Sequence, residues 1–203
     1  MNSINFANKT ITPSKVVCIG RNYVDHIREL GNEIPDDMVV FFKPNSAITN
    51  ELHSFHQEQL HFEGELCFLV EDGEFVAVAF GLDLTKRGLQ SKLKAKGLPW
   101  ERAKAFNGSA VLTDFIGLDT IDNSLSLELK IDGALQQAGG VELMMYKPDD
   151  ILAELASFVD LVDGDVVMTG TPKGVGEIKA GSVFAAKVLA GDKTLLEQSW
   201  IAK

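Results

Sequence analysis

The sequence predicts a β-rich α+β fold, a mixed β-sandwich roll with a few short helices. Three observations carry that expectation. Many short apolar, β-branched segments lie between turn signals, and the 18 glycines suit such turns better than a helix bundle. Two acidic-glycine dipeptides, Asp72-Gly73 and Asp132-Gly133, each sit between strand-like runs and predict hairpins. Only three or so segments carry helical periodicity, and no repeat, linker or low-complexity tract divides the chain. One catalytic domain over residues 1–203 is therefore expected, with its core near residues 15–190.

Lys15 to Ile19 reads as a buried strand bounded by Pro13 and Gly20. Asn22 is placed to cap a helix running through Leu30 and stopped by Gly31, with Tyr23, Ile27 and Leu30 on its apolar face. Val39 to Phe42 is a strand ended by Lys43-Pro44-Asn45. Glu63 to Val70 and Phe75 to Phe80 form a hairpin. Leu84 to Lys96 reads as a polar, basic helix closed by Gly97 and Pro99. Leu125 to Ile131 and Ala134 to Gln137 form the second hairpin. Pro148 opens a helix to about Phe158, with Asp149 and Asp150 where the helix dipole favours acids and Ile151, Leu152, Leu155 and Phe158 facing a core. Val166 to Thr169 is a strand feeding the loop Gly170 to Gly176, and Val183 to Leu189 and Thr194 to Trp200 close the chain as strands.

Nineteen basic residues against 29 acidic ones give a net charge of −10. Such a surface repels phosphate, which argues against nucleic acid and anionic membranes as partners. Cys18 and Cys67 each lie in an apolar run and read as reduced core thiols. Met1 to Asn5 shows neither a basic flank nor an apolar stretch, and no run approaches the ~20 apolar residues of a membrane helix. A cytoplasmic protein is the expectation.

His61-Phe62-Glu63-Gly64-Glu65-Leu66 is the sharpest local feature. Strand periodicity puts His61, Glu63 and Glu65 on one face and Phe62, Leu66 and Phe68 on the other. Two carboxylates one pleat apart have Cα atoms ~6.5–7 Å apart, so both can bend onto one cation. A solvated strand face is the commoner home of an E-x-E pair. Here the strand continues as Cys67-Phe68-Leu69-Val70, apolar on both faces, so the acids abut buried structure, where a divalent cation offsets their repulsion. Asp83, between an apolar strand and a helix, suits either a third oxygen ligand or a helix cap. Such an oxygen-only set favours Mg2+ or Mn2+ over zinc. His53, His56 and His61 form a rival cluster without any zinc-binding spacing.

His26 and Glu29, at i and i+3, pair an imidazole with a carboxylate, either as a general base or as a surface pair. Lys104 lies among small and apolar neighbours, where it needs an anionic partner unless it is a surface lysine. Arg87 and Gln90 share one helix face. The loop from Thr169 to Gly176 matches neither a P-loop nor a dinucleotide fingerprint; it can offer backbone N–H groups to a small carboxylate or serve as a plain turn.

Five segments taken in order resemble the fumarylacetoacetate hydrolase family, in its small branch of acylpyruvate hydrolases and oxaloacetate-handling enzymes. They are Gly20-Arg21-Asn22-Tyr23 with Asp25-His26, the His61 to Leu66 segment, Gly81-Leu82-Asp83-Leu84-Thr85 with Arg87 and Gln90, Lys96 to Trp100 leading to Ala103-Lys104-Ala105-Phe106, and Asp163-Gly164-Asp165 through Gly176. Gly88 and Ala105 depart from residues common in that family. The resemblance implies the sandwich roll, a homodimer, and one Mg2+ or Mn2+ on Glu63, Glu65 and Asp83. It further implies catalytic roles for His26, Glu29 and Lys104, and substrate contacts from Arg87, Gln90, Thr171 and Lys43.

The activity expected on these grounds is metal-assisted hydrolysis of a C–C bond in a small 2,4-dioxo acid of acylpyruvate or fumarylpyruvate type. Oxaloacetate decarboxylation and oxaloacetate keto–enol tautomerisation are the alternatives, followed by a non-catalytic binding protein on the same scaffold.

Overall fold

The computed structural model describes residues 1–203. Its main sheet has eight strands. Seven form a path in the order Val39–Pro44, Lys15–Gly20, Val166–Met168, Gly64–Glu71, Glu74–Asp83, Ala110–Leu112 and Ile48–Thr49, and Ile116–Gly117 adds to the side of Glu74–Asp83. Pairing is antiparallel except where Val166–Met168 meets Lys15–Gly20 and Ala110–Leu112 meets Ile48–Thr49. A four-stranded antiparallel sheet, Ala134–Gly140, Leu125–Ile131, Val183–Ala190 and Lys193–Ile201, completes the mixed sandwich roll that the sequence predicts.

Strand alternation sorts the core. Phe62, Leu66, Phe68, Val78, Phe80 and Leu82 pack with Leu127, Phe184 and Val188 of the second sheet. The opposite face of the curled main sheet carries Cys18, Cys67, Leu69, Ala77, Ala79 and Met168. Both thiols are buried and unpaired, and burial pushes their pKa values up, as expected of inert core cysteines.

Four helices decorate the sheets: α1 Val24–Glu29, α2 Arg87–Ala95, α3 Glu101–Lys104 and α4 Pro148–Ala156. Three expectations need correction here. Asn22 does not cap α1; its side-chain amide donates to the Tyr146 and Thr169 carbonyls and its oxygen accepts the Tyr146 N–H, so it ties three segments together. Leu30 and Phe158 lie past the ends of α1 and α4 and are exposed, because the apolar period outruns both helices. The basic helix begins at Arg87 rather than Leu84; Leu84 and Thr85 are buried in extended chain that crosses from sheet to helix. No helix is long and apolar enough to cross a membrane.

Asp165 fastens the turn before the Val166–Met168 strand to the start of Lys15–Gly20. Its carboxylate accepts from the Ser14 hydroxyl at 2.6 Å, the Ser14 and Lys15 N–H groups at 3.2 Å each, the Val162 N–H at 3.0 Å, and the Lys15 ammonium. Burial pushes this carboxyl up, but the Lys15 and Ser14 hydrogen bonds outweigh burial and hold it below the usual range. A depressed folded pKa stabilises the fold above the unfolded value of about 3.9 and is lost as pH falls through the folded value. Asp165→Ala is therefore expected to lower stability by about 2–3 kcal/mol at neutral pH, with the gap to wild type narrowing in urea melts as the pH falls below the unfolded value.

Candidate active site

The hairpin of Gly64–Glu71 and Glu74–Asp83 builds the centre of the site. Its register shifts by one between Phe75 and Ala77, leaving Val76 as an extra residue. Beyond that bulge Gly81 faces Glu65 and Leu82 faces Gly64, and the Asp83 N–H donates to the Glu63 carbonyl at 2.9 Å. Glu63 and Glu65 share a face by strand periodicity, and Asp83 joins them as the cross-strand neighbour of Glu63. Without the bulge, Asp83 would oppose Phe62 and point the other way. All three acids are buried, and one carboxylate oxygen from each lies within 4.8 Å of the other two.

Positive charge surrounds this cluster. The Lys104 ammonium donates to Glu63 Oε2 at 2.9 Å, Asp83 Oδ2 at 2.6 Å and the Thr85 hydroxyl at 2.7 Å. Arg87 donates to Glu63 Oε1, and its second amino group reaches Gln90 at 2.9 Å. Burial pushes the Glu63 carboxyl up, but Lys104 and Arg87 outweigh it and hold it well below the usual range. Burial lowers the Lys104 pKa, yet Asp83 and Glu63 reverse that and raise it. Glu65 differs: burial, then the charges of Asp83 and Glu63, push it well up, and the Gly170 N–H at 2.7 Å opposes them only in part.

The donor set suits a hard divalent ion. It is all oxygen, it is buried, and Glu65 has no cation of its own. Asp83 Oδ1 receives no aligned hydrogen bond although the Lys43 ammonium lies 2.8 Å away. The rival histidines do not converge: His53 pairs with Glu51, His56 stacks on Phe106, and His61 approaches Glu177.

His26 and Glu29 meet as the spacing predicts, with Nδ1 to Oε2 at 3.3 Å. His26 is buried, and Glu29 also accepts the Gly174 N–H at 3.0 and 3.2 Å. The glycine loop thus spends two N–H groups on protein carboxylates, Gly170 on Glu65 and Gly174 on Glu29, rather than offering them to a ligand. Gly170 reaches its place at φ +97°, where a Cβ would also press on the Ile19 carbonyl.

Two of the residues expected at the substrate, Lys43 and Thr171, are held by hydrogen bonds within the protein. Lys43 is fully buried, and its ammonium donates to the Lys104 carbonyl and to the Ser109 carbonyl and hydroxyl, both at 3.1 Å. Its ammonium is also a buried counter-ion, 2.8 Å from Asp83 Oδ1. The Thr171 hydroxyl donates to the Gly64 carbonyl at 2.8 Å and accepts from Gln137 at 2.8 Å, so it is occupied in holding the Glu63–Glu65 backbone.

Gln137 escaped the sequence reading. It is buried, and its amide accepts the Gly64 N–H at 2.9 Å while donating to Thr171 and to the Pro172 carbonyl. Gly64 allows this approach, since a Cβ there would lie 2.9 Å from the Gln137 oxygen. Gln136 is the extra residue of a bulge opposite Leu129 and Lys130, and that bulge turns Gln137 inward.

The profile of the fumarylacetoacetate (FAA) hydrolase C-terminal family matches residues 15–198. The oxaloacetate tautomerase YcgM of Escherichia coli (strain K12) is 37% identical over 186 residues, covering 83% of this chain and 85% of that protein. The mitochondrial oxaloacetate tautomerase FAHD1 of Bos taurus is 36% identical over 190 residues, covering 85% and 86%. Among solved structures, fumarylpyruvate hydrolase from Pseudomonas aeruginosa in complex with Mn2+ and pyruvate superposes with a TM-score of 0.88 at 26% identity, covering 99% of this chain and 95% of that one.

Proposed function

Because the chain belongs to the fumarylacetoacetate hydrolase family, we propose that it interconverts the keto and enol forms of oxaloacetate, with Mg2+ or Mn2+ held by Glu63, Glu65 and Asp83. The observation that carries this reading is the likeness to oxaloacetate tautomerases, at up to 37% identity across most of both chains. It moves the expected acylpyruvate hydrolysis to second place.

The chemistry asks only that a proton move between C3 and the 2-oxo oxygen. Glu29 orients the His26 imidazole through Nδ1, which leaves Nε2 to take the C3 proton. The C–H electron pair becomes the C2–C3 double bond, and the 2-oxo oxygen gains negative charge. A bound divalent ion supplies Lewis acidity for that oxygen. The Lys104 ammonium, already among the carboxylates, stands ready to protonate it. The reverse transfers return the keto form.

Decay of the ultraviolet absorbance of enol-oxaloacetate, with and without Mg2+, tests this. The wild type is expected to accelerate it. His26→Ala is expected to lose about 10²–10⁴-fold in rate while binding Mn2+ as tightly as wild type. A wild-type rate equal to the uncatalysed one would overturn the reading. Cleavage of acetylpyruvate or fumarylpyruvate in the parallel assay would favour hydrolysis, which the likeness to the fumarylpyruvate hydrolase supports.

A further inference from the structure

One cation beside the site has no task in the scheme above. α2 carries Arg87, Gln90 and Lys94 at i, i+3 and i+7, a single stripe along the helix. Arg87 is engaged by Glu63 and Gln90. Lys94 lies one turn further on, its ammonium 4.6 Å from the centre of the Trp100 ring. Trp100 neighbours Phe41, with ring centres 6.1 Å apart, and the Lys104 ammonium lies 5.4 Å from the centre of Phe41. Two aromatic rings therefore link the Lys94 ammonium to the one that holds the carboxylates.

This corner is unusual for so acidic a chain. No carboxylate lies within 4 Å of Lys94 or of Arg21, although acidic residues outnumber basic ones 29 to 19. Burial, followed by the nearby charges of Arg21 and Lys104, lowers the Lys94 pKa to about 8. A half-buried ammonium among other cations is costly, and an incoming anion relieves the cost.

We propose that Lys94, steadied on Trp100, receives the second carboxylate of a dianionic 2-oxo acid whose first carboxylate and 2-oxo group face the Glu63–Glu65–Asp83 cluster. The inference rests on the reading that this site takes a 2-oxo acid, and it assigns to Lys94 the choice of dianion over monoanion.

Oxaloacetate and 2-oxobutyrate share the 2-oxo acid head and differ in the terminal carboxylate. Their binding to Mn2+-loaded protein can be read from water-proton relaxation, independently of turnover. Lys94→Gln is expected to weaken oxaloacetate about 10- to 100-fold and leave 2-oxobutyrate unchanged. Lys94→Arg keeps the charge and is expected to keep the preference. Equal weakening of both acids, or no weakening of oxaloacetate, overturns the proposal. A wild type that prefers oxaloacetate without speeding its tautomerisation would defeat the activity proposed above and leave the role of Lys94 standing.

Discussion

Glu65→Gln is expected to abolish turnover, by on the order of 10³-fold or more, and at the same time to make the ion-free protein no less stable than wild type. The two effects share one cause. Burial and the charges of Asp83 and Glu63 raise the folded pKa of Glu65 well above its ordinary value. An acid whose pKa rises on folding costs no stability below its unfolded value, about 4.3, and destabilises progressively as pH climbs from there toward the folded value. At neutral pH the ion-free wild type carries that cost. Glutamine removes the charge and still accepts the Gly170 N–H. A divalent ion should then raise the melting temperature of wild type and leave the variant unmoved. Thermal melts with chelator and with Mg2+, beside the enol-decay assay, check both halves. A variant that melts well below wild type in chelator, or that gains as much from Mg2+, would contradict this account of Glu65.

How much of this was legible beforehand follows from which interactions are local. The hairpins were readable because alternation and the acidic-glycine turns are local properties, and Phe62, Leu66 and Phe68 do face the core opposite Glu63 and Glu65. The paired glutamates announced themselves by period 2. Asp83 did not: its side depends on the extra residue Val76, and no turn or periodicity signal marks that bulge. Gln137 was hidden for the same reason by the bulge at Gln136. Asn22 reads as a cap because Asn caps helices in general, whereas here two carbonyls from distant segments claim its amide. For Lys43 and Thr171, family likeness supplies residue types and positions, while only the packing shows which protein oxygens each one meets. A glutamine flanked by Gln136 in a short strand offers no sequence signal beyond its polarity, and polarity alone does not distinguish a buried clamp from a solvated surface.

Lys43→Met is expected to cost about 3–5 kcal/mol of folding free energy in the absence of divalent ions. The side chain is fully buried on the strand Val39–Pro44, and methionine nearly matches its length, so the substitution removes charge and hydrogen bonds with little change of volume. What remains is a set of oxygens arranged for a cation: Asp83 Oδ1 at 2.8 Å from the ammonium, the Ser109 carbonyl and hydroxyl, and the Lys104 carbonyl. Stranding a buried carboxylate is far costlier than losing a solvated ion pair, because neither water nor another partner replaces the lost charge. Asp83 keeps Lys104 at its other oxygen, so the loss should fall short of unfolding the protein outright. Mg2+ should recover part of the deficit, since a divalent ion on Asp83 restores the missing positive charge. Urea denaturation with and without Mg2+ measures both quantities. A loss below about 1 kcal/mol would mean that Lys43 is not the fixed counter-ion of Asp83.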